Sequence, residues 1–113
     1  MMKYITAVVR PEKVEEVISA LRKVDVSRLT LSDCRGVGGM NQTSEVYRGV
    51  EYTVHYRLKT KIEIAVNEEF VQPTIDTIQK VCHTGDPTDG VIFVAELAQC
   101  VNIGTGKTGN EGI

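Results

Sequence analysis

Two helical stripes, each set between runs that read as strands, constrain this chain more than any other feature. Val14, Val17, Ile18 and Leu21 recur at the i, i+3, i+4, i+7 spacing that gathers apolar side chains on one helix face. Glu15, Glu16, Arg22 and Lys23 fill the other faces. Pro11 opens this helix, because a first-turn proline has its φ preset and gives up an N–H that has no partner anyway. Glu12 follows it, favourably near the N-terminal dipole. Val71, Ile75, Ile78 and Cys82 form the second stripe. Asn67 is its expected N-cap, followed by Glu68 and Glu69, and Pro73 is expected within about the first turn, where proline is tolerated. Around the stripes lie four β-rich runs: Tyr4 to Val9, Leu29 to Arg35, Lys59 to Val66 and Val91 to Leu97.

The order strand, helix, strand, strand, helix, strand is two β-α-β units in tandem. It predicts an α+β, ferredoxin-like βαββαβ fold: an antiparallel four-stranded sheet with both helices on one face. The first and third strands read as apolar on both faces, so the sheet face without helices calls for a second copy of the chain as its cover. At 113 residues the chain fits one domain, 1–113.

Between the second and third strands stands GVGGMNQTSEVYRGVEYTVHY, long, polar and interrupted by Gly36, Gly38, Gly39 and Gly49. It reads as a loop, and a loop of this length in a small domain is usually functional. HTGDPTDG, residues 83–90, reads as a second loop. His55 and His83 have no carboxylate or second histidine at ligand spacing, and no Ser/His/Asp set declares itself. Nothing in these residues supports catalysis or a metal site, so the expectation from them alone is a ferredoxin-like oligomer with one unusual loop, not an enzyme. Net charge is −2, which gives no bulk attraction to nucleic acid. No apolar run approaches the ~20 residues that span a bilayer, and the start MMKYITAVVRPEK has no cleavage pattern, so a cytoplasmic location without membrane insertion is expected. Cys34, Cys82 and Cys100 are odd in number and widely spaced, which suits small buried hydrophobes better than a disulfide framework or a zinc site.

GTGKTG, residues 104–109, has the second half of a phosphate-binding loop in Gly106, Lys107 and Thr108. The first glycine of that motif falls on Val101, and no helix-forming sequence follows to aim its N-terminus at a phosphate. The stretch reads as a tail, either flexible or closing over a ligand held elsewhere.

Several stretches together resemble the PII signal-transduction proteins. Tyr47-Arg48-Gly49-Val50-Glu51-Tyr52 resembles their tyrosine-bearing T-loop motif, and Thr84-Gly85-Asp86-Pro87-Thr88-Asp89-Gly90-Val91-Ile92-Phe93-Val94 their B-loop signature. Val8 to Lys13, Gly36-Val37-Gly38 and Lys59 to Glu63 match as well, and the likeness runs over essentially the whole chain. The resemblance implies a homotrimer that binds adenine nucleotide in clefts between subunits. It implies a T-loop at about 37–56 that docks on a transporter or enzyme, a B-loop at about 83–91 and a C-terminal loop at about 99–113. By the same resemblance Thr30, Glu63 and the Ala65 backbone match positions that hold the adenine. Gly36, Val37, Gly38, Gly39, Met40, Thr88, Asp89, Gly90 and Val91 fall among the nucleotide-binding positions. Lys59 matches a lysine that pairs with an anionic ligand. Tyr52 matches a tyrosine that some members carry for uridylylation, or it is a loop-tip aromatic that docks on a partner.

The departures are as informative as the matches. The family usually has a lysine where this chain has Val91, and arginines at Gly39, Asn102 and Gly104. A hydrogen bond to a charged group contributes on the order of 1.5–3 kcal/mol. Losing four cations therefore shifts the expected preference to ADP or AMP, with ATP the weaker ligand. Met40 replaces a glutamine whose oxygen helps hold Mg²⁺, and a thioether is a poor ligand for that hard cation. The combination is similar to divergent PII-like proteins, among them carboxysome-associated ones that respond to adenylates and bicarbonate. The alternative is a nitrogen-regulatory PII protein that senses ATP/ADP and 2-oxoglutarate and controls ammonium transport or glutamine synthetase.

Overall fold

The computed structural model describes the backbone of residues 1–37, 43–47, 50–54 and 56–113, and the side chains of 1–37 and 56–113. The elements run β1 (Lys3–Val9), a 3₁₀ turn (Pro11–Lys13), α1 (Val14–Arg22), β2 (Thr30–Val37), β3 (Thr43–Tyr47), β4 (Val50–Val54), β5 (Tyr56–Val66), α2 (Glu68–Cys82), a second 3₁₀ turn (Pro87–Asp89) and β6 (Gly90–Glu96). A third 3₁₀ turn covers Gly109–Gly112. Four strands form one sheet in the order β2-β5-β1-β6, all neighbours antiparallel. This is the ferredoxin-like arrangement that the alternation of stripes predicts.

Register decides which residues face the helices. Ile5 pairs with Ile64, Ala7 with Ile62 and Val9 with Thr60, so one row of side chains from each strand points the same way. That row meets Val14, Val17 and Leu21 of α1 and Ile78 and Cys82 of α2, and all of these side chains are buried. Burying an aliphatic side chain of this size contributes about 1.5–3 kcal/mol. Leu21→Ala at the centre of the cluster would therefore destabilise the fold by roughly 2–5 kcal/mol.

The alternate row makes the opposite face: Tyr4, Thr6 and Val8 of β1, Lys61, Glu63 and Ala65 of β5, Thr30, Ser32 and Cys34 of β2, and Val91 and Phe93 of β6. No helix covers it among the described residues, and Phe93 is 58% exposed.

The third strand is expected to be apolar on both faces, but its open-face row is Lys61, Glu63 and Ala65, so only the helix-facing row is apolar. Three further local expectations are revised. The sequence predicts an irregular loop between the second and third strands, but the β2–β5 ladder continues to Val37 opposite Tyr56. Arg35 lies over the Tyr56 ring, 5.1 Å from its centroid. Beyond this, β3 and β4 pair antiparallel, Thr43 to Val54 and Tyr47 to Val50. The Thr, Val and Tyr content of these two runs favours extended backbone, a signal that the surrounding glycines obscure. Pro73 is the sixth residue of α2, not part of its first turn. It offers no N–H to the Glu69 carbonyl, yet the helix continues, with the Thr74 hydroxyl donating to the Phe70 carbonyl at 2.6 Å. Asn67 does stand at the N-cap, but its side chain does not cap. Its amide nitrogen donates instead to the Asn110 carbonyl at 3.3 Å, tying the end of the chain to α2.

Candidate functional site

The loop between α2 and β6 is built by its own carboxylates. Asp86 caps the Pro87–Asp89 turn, accepting from the Thr88 amide at 2.8 Å and the Thr88 hydroxyl at 2.7 Å. Asp89 reaches back across the loop and accepts from the Thr84 amide at 2.6 Å, the Gly85 amide at 2.9 Å and the Thr84 hydroxyl. The Thr84 bonds, which favour the charged form, are the main cause that lowers the Asp89 pKa to about 2. The Thr88 bonds lower that of Asp86 as well. Gly90 closes the loop at φ 131°, and a Cβ there would lie 2.1 Å from the Val8 carbonyl oxygen. Only glycine fits this strand entry.

Two cations, one just past β1 and one on β5, hold the loop in place. Arg10, just past β1, donates from Nη2 to the Thr88 hydroxyl at 2.6 Å, and the same nitrogen is 3.5 Å from Asp89 and 3.7 Å from Asp86. Lys59 of β5 donates to the Thr88 carbonyl. It is 9% exposed, and burial, then the neighbouring Arg10 and Arg57, lowers its pKa. Arg10 carries no role in the sequence reading, because its partners lie far along the chain, Thr88 78 positions away. The one available signal is a basic residue at the end of an apolar strand, in a chain that also holds the acidic stretch DPTDG.

The candidate residues fall into two groups on one chain. Thr88, Asp89, Gly90, Val91, Lys59 and Gly36 gather at one end of the sheet, with a Gly36 Cβ position 3.4 Å from Lys59 Cγ. Val37 lies just beyond them, at the last rung of the β2–β5 ladder. Thr30, Glu63 and Ala65 share the open face further along β5. Glu63 is four residues from Lys59, roughly 13 Å along a strand. Gly38, Gly39 and Met40 lie outside the described residues. Tyr52 is in β4 opposite Glu45, and its side chain also lies outside them.

The glycine-rich tail is folded. The Asn102 amide donates to the Lys107 carbonyl at 2.8 Å, the Gly106 amide to the Asn102 carbonyl at 2.8 Å, and Val101 bridges Thr108. Gly106 and Gly109 take positive φ. The Asn102 side chain organises the turn: Oδ1 accepts from the Gly104 and Thr105 amides at 3.0 and 3.1 Å, and Nδ2 donates to the Gly112 carbonyl at 3.3 Å. GTGKTG therefore runs through the turn and along the return arm of a short hairpin, and the Lys107 side chain is exposed there.

The family model described as "Nitrogen regulatory protein P-II" matches residues 2–107. The chain belongs to the P-II family. It is 43% identical to the nitrogen regulatory protein GlnK1 of Methanosarcina mazei, over 99% of this chain and 97% of that protein. It is 38% identical to GlnK of Escherichia coli over 94% and 95%. Among solved structures it resembles a GlnK–ATP complex from B. subtilis, with a TM-score of 0.82 and 34% identity over 99% of this chain and 97% of that one. It also resembles PII of Arabidopsis thaliana bound to citrate, with a TM-score of 0.80 and 30% identity over 99% and 92%.

In this P-II chain the described positions where a cation was expected carry none. Val91 is a 45% exposed valine on the open face, Gly104 has no side chain, and the Asn102 amide is engaged inside its own turn. No group of three or more His, Cys, Asp or Glu that could hold a metal ion is present among the described residues. No helix among them is long and apolar enough to cross a membrane.

Proposed function

We propose that this P-II chain is a signalling protein, not an enzyme, that binds adenine nucleotide in clefts between the subunits of a homotrimer. Its best ligands are ADP and AMP, with ATP weaker. Likeness to a solved GlnK–ATP complex over nearly the full length supports adenylate binding. The engagement of Asn102 carries the preference for fewer phosphates, because the side chain that stands where a phosphate-binding arginine was expected is neutral and is held in its own turn through both Oδ1 and Nδ2. The open sheet face, with Val91 and Phe93 exposed, suits burial against a second copy. In such an assembly Thr30, Glu63 and the Ala65 backbone hold the base, and Gly36, Thr88, Asp89 and Gly90, with Val37 to Met40, line the ribose and phosphate side. The segment from about residue 37 to 56, which includes Tyr52, then signals to a transporter or enzyme in the cytoplasm. A ligand transmits through it only by binding one arrangement of that segment better than another.

Isothermal titration calorimetry tests the preference. ADP and AMP bind more tightly than ATP on this reading, and ATP binding tighter than both would overturn it. The second ligand has two candidates. The relatives named as nitrogen regulators favour 2-oxoglutarate, and the loss of cations favours bicarbonate or another small anion beside Lys59. Lys59 has three N–H donors and uses one on the Thr88 carbonyl, so it can share itself with an anion without releasing the loop. Repeating the titration of ADP with bicarbonate and of ATP with 2-oxoglutarate separates them, since only the true co-ligand tightens its nucleotide.

A further inference from the structure

The open sheet face carries one contact that no role above uses. β5 lies between β1 and β2, and register sets Thr6 on one side of Glu63 and Thr30 on the other. Tyr4 pairs with Ala65, one step further along the same face, and its hydroxyl reaches diagonally to donate to Glu63 Oε2. Diagonal neighbours in an antiparallel pair are ~7–8 Å apart, a span that a tyrosine crosses. The Tyr4 pKa is raised, first by this hydrogen bond and then by burial, so the phenol remains a donor throughout the neutral range. A glutamate at the centre of a sheet face would otherwise sample several rotamers. Fixing one in advance removes an ordering loss that ligand binding would have to overcome. The phenol engages one oxygen of the carboxylate, and a carboxylate has two acceptor oxygens.

We infer that Tyr4 is a positioning residue for base recognition: by holding Glu63 Oε2 it aims the other carboxylate oxygen, beside the Thr30 hydroxyl, at an exocyclic amine of the base. A carboxylate only accepts, so it favours a base edge that donates there. This rests on the adenylate reading above and adds to it the residue that holds Glu63 in place.

The test compares ADP with purine riboside 5′-diphosphate, which lacks only the exocyclic amine. Wild type binds ADP about tenfold more tightly or better, the worth of a hydrogen bond to a charged group. Tyr4→Phe lowers that ratio about fivefold by weakening ADP, and leaves the amine-free ligand within about twofold. Glu63→Asp, which keeps the charge but withdraws it from the phenol, lowers the ratio similarly. In a Glu63→Ala background, where the phenol has no carboxylate to hold, Tyr4→Phe has no further effect on it. An unchanged ratio in both Tyr4→Phe and Glu63→Asp overturns the inference, and so does an equal loss for both ligands, which marks a merely structural contact. Wild type that binds neither ligand overturns the adenylate reading itself, an outcome distinct from binding without discrimination.

Discussion

The loop at residues 83–90 and the hairpin at 101–108 are both short and both rich in glycine and polar residues, but they are held together by opposite means. The first is organised by two carboxylates and clamped from outside by Arg10 and Lys59. The second is organised by one neutral amide, Asn102, with bonds to its own neighbours. A charged loop clamped by distant cations is fixed relative to the sheet and responds to pH. A neutral local turn keeps its shape at any pH but offers an anion little. The difference teaches that two turns of similar composition can be ordered by charge in one case, with the loop amides spent on its own carboxylates, and by a single neutral amide in the other.

The strongest way to break the comparison is at Gly90. A methyl there would overlap the Val8 carbonyl, and the φ of 131° is strained for any L-residue. Gly90→Ala should destabilise the fold by about 3 kcal/mol or more, because the obstacle is backbone that cannot step aside. Urea unfolding measures this. A loss below about 1 kcal/mol would mean that β6 can detach from β1 at this point, and that the clamp does not fix the loop as described.

Asn102→Ala attacks the other region with a smaller effect. It removes two accepted bonds and one donated bond, each worth about 0.5–1.5 kcal/mol net. Because the site is partly exposed, a total near 2 kcal/mol is expected, with faster amide exchange at Gly104 and Thr105 and no loss of protection in the 83–90 loop. Loss of protection in both regions would show that they are one cooperative unit.

Much of this was legible from residue types alone. The Val14–Leu21 and Val71–Cys82 stripes and the flanking strands carry their periods openly, because the core they build is continuous and apolar. Gly90 was visible as a residue in a signature, but its reason, the Val8 carbonyl, is a contact across the sheet. Arg10 was not legible as a clamp, since its partner Thr88 is 78 residues away and nothing in local sequence links them. Tyr4 read only as a β-prone residue, because its bond to Glu63 depends on register between strands 59 positions apart. The hairpin at 101–108 was hidden for another reason. Its composition, glycine with polar residues, is also that of a flexible tail, and only the Asn102 geometry distinguishes the two. In each case local pattern fixes the elements, while the site depends on side chains that meet through topology.

The smallest and most specific effect is the acid response of the clamped loop. Asp89 titrates at about 2 in the folded chain, below the usual carboxylate value of 3.8, because the Thr84 and Gly85 donors favour its charged form. Asp86 is shifted the same way by Thr88. A carboxylate with a depressed folded pKa contributes its stability above its unfolded value, and loses that contribution as pH falls from about 4 towards about 2. Stability should therefore decline through this window, with loosening that begins at residues 83–90. Asp89→Asn should flatten the decline, since the neutral amide has no proton to take up, while Asn102→Ala should shift the whole curve down without altering its slope. Arg10→Gln should reduce the slope only in part, because the arginine is a secondary cause of the Asp89 shift and the Thr84 bonds remain. Unfolding free energies at several pH values between 2 and 5 measure all three variants on one axis. If Asn102→Ala altered the acid slope as much as Asp89→Asn, the separation of a charged, clamped loop from a neutral, local one would fail, since the two regions would then share their protons' energetics.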